Sequence, residues 1–328
     1  MPIEMFKIKK LIKLIALLRF NQIEFMQMSA VSVQGIIYLL SILRTSVILR
    51  LLGAENYGLV GLAQAAGSTF AILRHAGLGV AVAKEVSQAK ETPRQSYVVT
   101  LLLIIRLAIL SPLSAFLFLI VAPVAASTYH QPVLSTLIRV YALYLLVSAP
   151  NDILGYALTG AERYRSYFIL RILNEIVMTV AMIEMVLALG VYGYFWGYVI
   201  AGAFSTLAGG FTVWHVLGRQ VAWLRGNEAW CLIKSVFKTS VAVFMVKLLR
   251  SFSVSVPMLI AGLVLSPSAL GWLKFAQQAG GYLGGMVSPV LLVTLPHMTR
   301  LQASQGAVHL SARFSANFRR VVWVVSLL

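Results

Sequence analysis

The chain has 328 residues, 59% of them hydrophobic and only 11% charged, with a formal net charge of +17. A soluble domain carries about 25% charged residues, so this composition excludes a protein that covers its whole surface with water. Nor does the cationic excess indicate nucleic acid, because nineteen of the 27 basic residues alternate with hydrophobic stretches on one side of a membrane pattern.

In residues 5–19, Ile8, Leu11, Ile12, Ile15 and Leu18 form one helical stripe, with Lys7, Lys9, Lys10 and Lys13 elsewhere. That pattern predicts an interfacial amphipathic helix. A signal peptide is the competing reading, but Lys13 interrupts its apolar core and no small-x-small site follows.

Eight stretches then reach the roughly 17–25 residues that a helix needs to cross about 30 Å of hydrocarbon. They are 29–52, 57–73, 97–125, 133–158, 167–189, 194–217, 240–264 and 269–296, and a ninth hydrophobic run begins at Val321. The nineteen cations lie before the first span or in the even-numbered connections, as with Lys84, Lys90 and Arg94 or with Arg163 and Arg165. The odd-numbered connections, near 53–56, 127–132, 190–193 and 265–268, hold none. This asymmetry predicts a cytoplasmic N-terminus. Cys231, the single cysteine, then falls in a cytoplasmic connection, and no internal disulfide can form.

One internal repeat is visible. Gly58, Ala63, Gln64, Ala66 and Gly67 recur as Gly271, Ala276, Gln277, Ala279 and Gly280, displaced by 213 residues. Chance matching in Ala/Gly-rich sequence is the alternative. Both copies, however, open the second span of a six-helix unit, so the relating axis would run along the membrane normal. The organisation expected is an amphipathic segment at 1–27, a first six-helix lobe at 28–218, a cytoplasmic connection at 219–239 and the start of a second lobe at 240–328.

Eight cations fall inside the spans: Arg44, Arg50, Arg106, Arg139, Arg171, Lys247, Arg250 and Lys274. Each costs roughly 2.5–3.5 kcal/mol or more at mid-bilayer, and only Asp152, Glu175 and Glu184 accompany them as acids. Arg50 and Arg171 sit near helix ends, from which they can snorkel, and Arg171 is spaced to pair with Glu175 along one helix. Arg139 and Lys274 allow either reading, snorkelling or burial. Arg44, Lys247 and Arg250 lie too deep to escape to water.

Gln34, Tyr38, Ser41, Arg44 and Thr45 form a polar stripe on the first span, and Lys247, Arg250, Ser251 and Ser255 form another on the seventh. The arrangement expected faces both stripes across a wet, cationic cavity; buried structural ion pairs are the alternative. Such a cavity suits phosphate or diphosphate, whose oxygens guanidinium forks bind in pairs. Gln64, Gln277 and Lys274 add to the substrate-binding set, and Asp152, Glu175 and Glu184 are the acids available to a coupling ion. Gly58, Gly61, Gly67, Gly280, Gly281, Gly284 and Gly285 predict close helix packing. The chain contains no P-loop, HExxH, GxSxG or Cys/His cluster. The expectation is therefore a non-enzymatic protein without metal or cofactor.

The run Arg50-Leu-Leu-Gly53-Ala-Glu-Asn-Tyr57-Gly58-Leu, then Gly61, Ala63-Gln64 and Gly77-Leu-Gly79, resembles the opening of Wzx-type O-antigen flippases. These belong to the polysaccharide transporter branch of the multidrug/oligosaccharidyl-lipid/polysaccharide exporter superfamily. Gly271, Leu295-Pro296 and Arg300-Leu301 are similar to that family's eighth span and following loop. The resemblance implies an all-α, two-lobed, MATE-like bundle, here with its second lobe incomplete. It also implies outward movement of an undecaprenyl-diphosphate-linked oligosaccharide across the bacterial inner membrane. Membrane lipids and other polysaccharide assembly proteins are then the expected partners, and nucleic acid is not.

Two rivals remain at this level. A multidrug or cation antiporter of the same superfamily would place acids in its cavity, whereas here membrane cations outnumber acids. A membrane glycosyltransferase or polymerase would place catalytic carboxylates outside, where only Glu55 falls.

Overall fold

The computed structural model describes residues 22–71, 78–89, 94–217 and 226–285. The amphipathic segment at 5–19, Arg300 and the ninth hydrophobic run lie outside these residues. The chain divides into two compact units, Met1–Ser32 with Val287–Leu328, and Val33–Met286. The second unit holds nearly the whole helical bundle.

Ten α-helices follow one another, and there is no strand among the described residues. They are α1 (Gln22–Ala71), α2 (Leu78–Gln88), α3 (Arg94–Phe116), α4 (Ala122–Thr128), α5 (Val133–Val147), α6 (Ala149–Gly160), α7 (Tyr164–Leu189), α8 (Gly193–Leu217), α9 (Gly226–Val264) and α10 (Pro267–Gly285). Among the described residues, five helical stretches are long and apolar enough to cross a membrane: Ser29–Phe70, Gln95–Thr128, Val133–Gly160, Tyr164–Leu217 and Phe244–Val264. Two of them are of double length and break where the sequence predicts turns. Gly53, at φ 73° and ψ 165°, divides α1 into two arms, and Gly190, at φ 60° and ψ −135°, opens the 3-10 turn Gly190–Tyr192. Both conformations cost a side-chain-bearing residue more than they cost glycine.

Proline shapes the other interruptions. Pro112 removes a backbone donor inside α3, and five residues later the chain takes a π-helical turn, Leu117–Val121, before α4. Pro150 in the first turn of α6 separates it from α5 at Ser148. Two stretches read as connections are helical. Residues 78–88 form α2, and α9 begins at Gly226 rather than near 240. Burial explains both: Leu78, Val82 and Val86 of α2 join Leu232 and Val236 of α9 in one apolar cluster with α3 and α6.

Side-chain direction on α1 is the reverse of a soluble helix. Gln34, Ser41, Arg44 and Thr45 are 7%, 5%, 6% and 4% exposed, while Leu39 and Leu43 are 65% and 60% exposed. In water this arrangement would expose apolar surface and desolvate polar groups, losing on both counts. In a bilayer both terms change sign for the outer face. The protein is a multi-pass membrane protein.

The two repeat copies touch. A Cβ placed on Gly58 would run into the Pro267 carbonyl oxygen and the Gly271 nitrogen, 2.9 Å away in the latter case. One placed on Gly271 would strike the Ala54 carbonyl group, and one on Gly61 would meet the Lys274 side chain at 2.9 Å. With the 213-residue displacement, 54 corresponds to 267, 58 to 271 and 61 to 274. Residue 58 therefore meets 267 while 271 meets 54, which is the reciprocity that a two-fold axis imposes. The contacts also advance together along both helices, from 58 at 271 to 61 at 274. The second arm of α1 and α10 thus run side by side in the same direction. Gly67 packs as closely, against Tyr141, but Gly280 and Gly281 have nothing near them. Close packing expected at those two positions is not found among the described residues.

Candidate functional site

A polar cluster lies inside the bundle where α1, α7, α8 and α10 converge. Arg44 donates to Glu175 Oε1 at 2.5 Å, and Ser41 Oγ donates to the same oxygen at 2.8 Å. Arg44 also reaches Thr179 Oγ1 and Ser41 Oγ, each at 3.3 Å. The intrahelical Arg171–Glu175 pair expected from spacing is not formed. Glu175 turns inward to α1, whereas Arg171 donates to the Tyr167 hydroxyl at 3.4 Å and lies over its ring at 5.8 Å. The four-residue spacing permits a pair on either side of a helix; the buried cation on α1 decided the direction.

One helical turn beyond Ser41 on α1 and next to Arg44, Thr45 begins a second group. Gln278 Nε2 donates to Thr45 Oγ1 at 2.9 Å and to the Tyr282 hydroxyl at 2.7 Å, and its Oε1 accepts from the Tyr57 hydroxyl at 2.7 Å. Thr45 Oγ1 and Tyr282 are 3.2 Å apart. Beside them, Lys274 Nζ donates to Gln64 Oε1 at 2.6 Å and faces the rings of Tyr57 and Tyr194 at 5.0 and 5.2 Å. Ring faces attract an ammonium most where water is excluded, and Lys274 is buried. It does not snorkel. Arg139, by contrast, is exposed and rests over the Phe118 ring.

A second ion pair joins α3 to α6, with Arg106 2.5 Å from Asp152. Lys247 of α9 is half-buried and feels the charges of Asp152 and Arg106. The predicted residues thus fall into two groups. Arg44, Glu175, Gln64 and Lys274 contribute to one polar region, with Gln34 buried on the same stripe of α1. Asp152 and Lys247 belong to the other. Gln277 is half-buried on α10, Glu184 is exposed on α7, and the backbone of Arg250 lies within α9 while its side chain is outside the described residues. The expectation that acids are too few overlooked how they are used: Arg44 and Arg106 each take one.

Sequence reasoning missed Gln278, Tyr57, Tyr282 and Thr179. Gln278 hid behind Gln277, which the repeat singles out. The signal was present in helical phase, because Gly271, Lys274, Gln278 and Tyr282 fall on one face at spacings of three and four.

A cavity of about 80 Å³ opens between α6, α7 and α8, lined by Asn151, Tyr167, Arg171, Asn174 and Ser205 among others. It has room for a few waters at about 30 Å³ each. Asn174 Oδ1 is buried without a hydrogen-bond partner among the described residues.

The family model described as polysaccharide biosynthesis protein matches residues 28–302. The chain belongs to this family. The chain has no match among curated proteins. Solved structures do resemble it. One chain called protein A is 16% identical, with a TM-score of 0.58 over 88% of this chain and 68% of that one. The inward-facing conformation of a multidrug resistance MATE family transporter of the MOP superfamily is also 16% identical, with a TM-score of 0.53 over 86% and 66%. At this identity the likeness establishes the fold, a MATE-type helical bundle. The chain spans about two thirds of the length of either structure.

Proposed function

We propose that this polysaccharide biosynthesis protein moves a lipid-linked oligosaccharide, carried on undecaprenyl diphosphate, across the bacterial inner membrane by alternating access. In this reading the N-terminus is cytoplasmic, 28–218 is the first lobe, 219–239 the cytoplasmic connection and 240–328 the start of the second. The observation that supports this most is the buried polar region around Arg44 and Lys274, where the two repeat copies meet inside the bundle. Two deep cations are costly in a membrane, and their retention is accounted for by an anion that needs them.

In this reading Arg44, Lys247, Arg250 and Lys274 attract the diphosphate, and Gln34, Gln64 and Gln277 hydrogen-bond the substrate. Asp152, Glu175 and Glu184 are the acids available to a coupling ion. Movement of the lobes about the Gly58–Gly271 contact would expose the region to each side in turn. The multidrug antiporter reading gains nothing from the fold alone. Other inner-membrane assembly proteins are the expected partners.

The test is surface polysaccharide in cells that depend on this chain. Arg250→Ala should abolish it at normal protein level, and Arg250→Lys should restore it only in part, because lysine keeps the charge but loses the fork. Normal polysaccharide from the Arg44→Ala, Arg250→Ala double variant would overturn the mechanism.

A further inference from the structure

Glu175 occupies the place that a ligand's phosphate would need. Its Oε1 takes the Arg44 guanidinium at 2.5 Å and the Ser41 hydroxyl at 2.8 Å. Thr179, one turn further along α7, accepts a third contact from Arg44 at 3.3 Å. Both charged groups are buried, Arg44 at 6% and Glu175 at 9% exposure. Two anions cannot share a desolvated guanidinium without strong mutual repulsion, so any anion that binds Arg44 must first displace this carboxylate.

We infer that Glu175 is a built-in competitor for the substrate anion, holding Arg44 whenever no phosphate is bound and setting the least charge that a ligand must carry. This deepens the reading given under Proposed function, since it takes Arg44 to be the phosphate's partner. A carboxylate meets Arg44 through one oxygen and one negative charge. A diphosphate bridging lipid and sugar carries one negative charge and two free oxygens on each phosphorus, twice the charge of the carboxylate and a two-pronged match to the guanidinium fork; a neutral sugar or a singly charged lipid does not suffice. Ser41 keeps the carboxylate aimed at Arg44 after the ligand departs. The same pair therefore rejects poor ligands on entry and assists release on exit, because the guanidinium never has to face the membrane interior unpaired. No covalent bond changes in this cycle; one anion exchanges for another on the same cation.

Binding of farnesyl diphosphate, farnesyl monophosphate and farnesol to the purified full chain in detergent tests this, alongside the melting temperature of each variant. Glu175→Gln keeps the side-chain shape and removes the competing charge. It should bind farnesyl diphosphate about tenfold tighter or more, the worth of one charge-assisted hydrogen bond, and should lose most of its preference for diphosphate over monophosphate. Adding Arg44→Ala to Glu175→Gln should cancel that gain. Ser41→Ala leaves both charges but loosens the carboxylate, and should shift binding in the same direction by a smaller factor. A purely structural pair predicts the opposite: lower melting temperatures and unchanged or weaker binding in both variants. Unchanged or weaker diphosphate binding in Ser41→Ala overturns the inference even if Glu175→Gln fails to fold. If Arg44→Ala alone binds farnesyl diphosphate as the native chain does, the assignment of Arg44 to the phosphate fails first, and with it the premise about Glu175.

Discussion

Gly58 and Gly271, equivalent positions in the two repeat copies, meet backbone to backbone, and each also crowds the residue that begins the other's helix, Pro267 and Ala54. The contact leaves no room for a Cβ on either side. Several polar residues of the candidate site lie along the helices that cross here: Gln64 and Lys274 follow the crossing directly, and Gln278 reaches back to Tyr57 and Thr45. A close crossing of two glycines thus sets how near two helices from different repeat copies bring their polar faces.

This crossing makes a paired prediction. Gly58→Ala and Gly271→Ala should each destabilise the protein by about 1–3 kcal/mol, the usual cost of overpacking, read as a lower melting temperature in detergent. Gly280→Ala, with open space around its Cα, should melt like the native chain. Equal tolerance at all three positions would mean that the two helices are not in close contact.

Arg106 and Asp152 should behave as one unit. Replacing Asp152 by alanine removes an ion-pair partner from the buried Arg106 and should cost up to about 3–5 kcal/mol, and replacing Arg106, whose partner Asp152 is partly exposed, should cost less. The Arg106→Met, Asp152→Leu double variant should be far less damaged than the sum of the single losses. A double-variant cycle by chemical unfolding measures this, and additive losses would show that the pair is not coupled.

Lys274 should separate stability from function. Lys274 is a buried ammonium on neutral partners, and an apolar side chain of similar length removes the cost of desolvating its charge. Lys274→Met should therefore keep or raise the melting temperature while surface polysaccharide falls. A chain that melts lower yet exports normally would make Lys274 a structural residue.

The proposed orientation can be tested at the exposed turns. Ser127 and Ser268 are both exposed and would face outward. Single cysteines at either position, in a Cys231→Ser background, should react with an impermeant thiol reagent added to whole cells. Reaction of native Cys231 from outside would instead invert the topology.

Much of this architecture was legible in the sequence, because the bilayer imposes simple rules on it. Span length follows from hydrocarbon thickness, and helix is obligatory where no water can satisfy the backbone. Hence the breaks at Gly53 and Gly190 and the inward polar stripe of α1 could be read from local residues. What local residues could not determine was partner choice. Glu175 had Arg171 at helical spacing and Arg44 on a distant span, and only the packing of α7 against α1 decided for Arg44. Lys274 had the choice of snorkelling or burial, and the Tyr57 and Tyr194 rings with the Gln64 carbonyl oxygen settled it. Gln278 was passed over because a repeat marks equivalent positions and not the face each helix turns to its neighbour. Hydropathy is a sum over one segment and survives any arrangement of the others. Hydrogen bonds and ion pairs are short-ranged and depend on which helices meet, so tertiary structure alone assigned them.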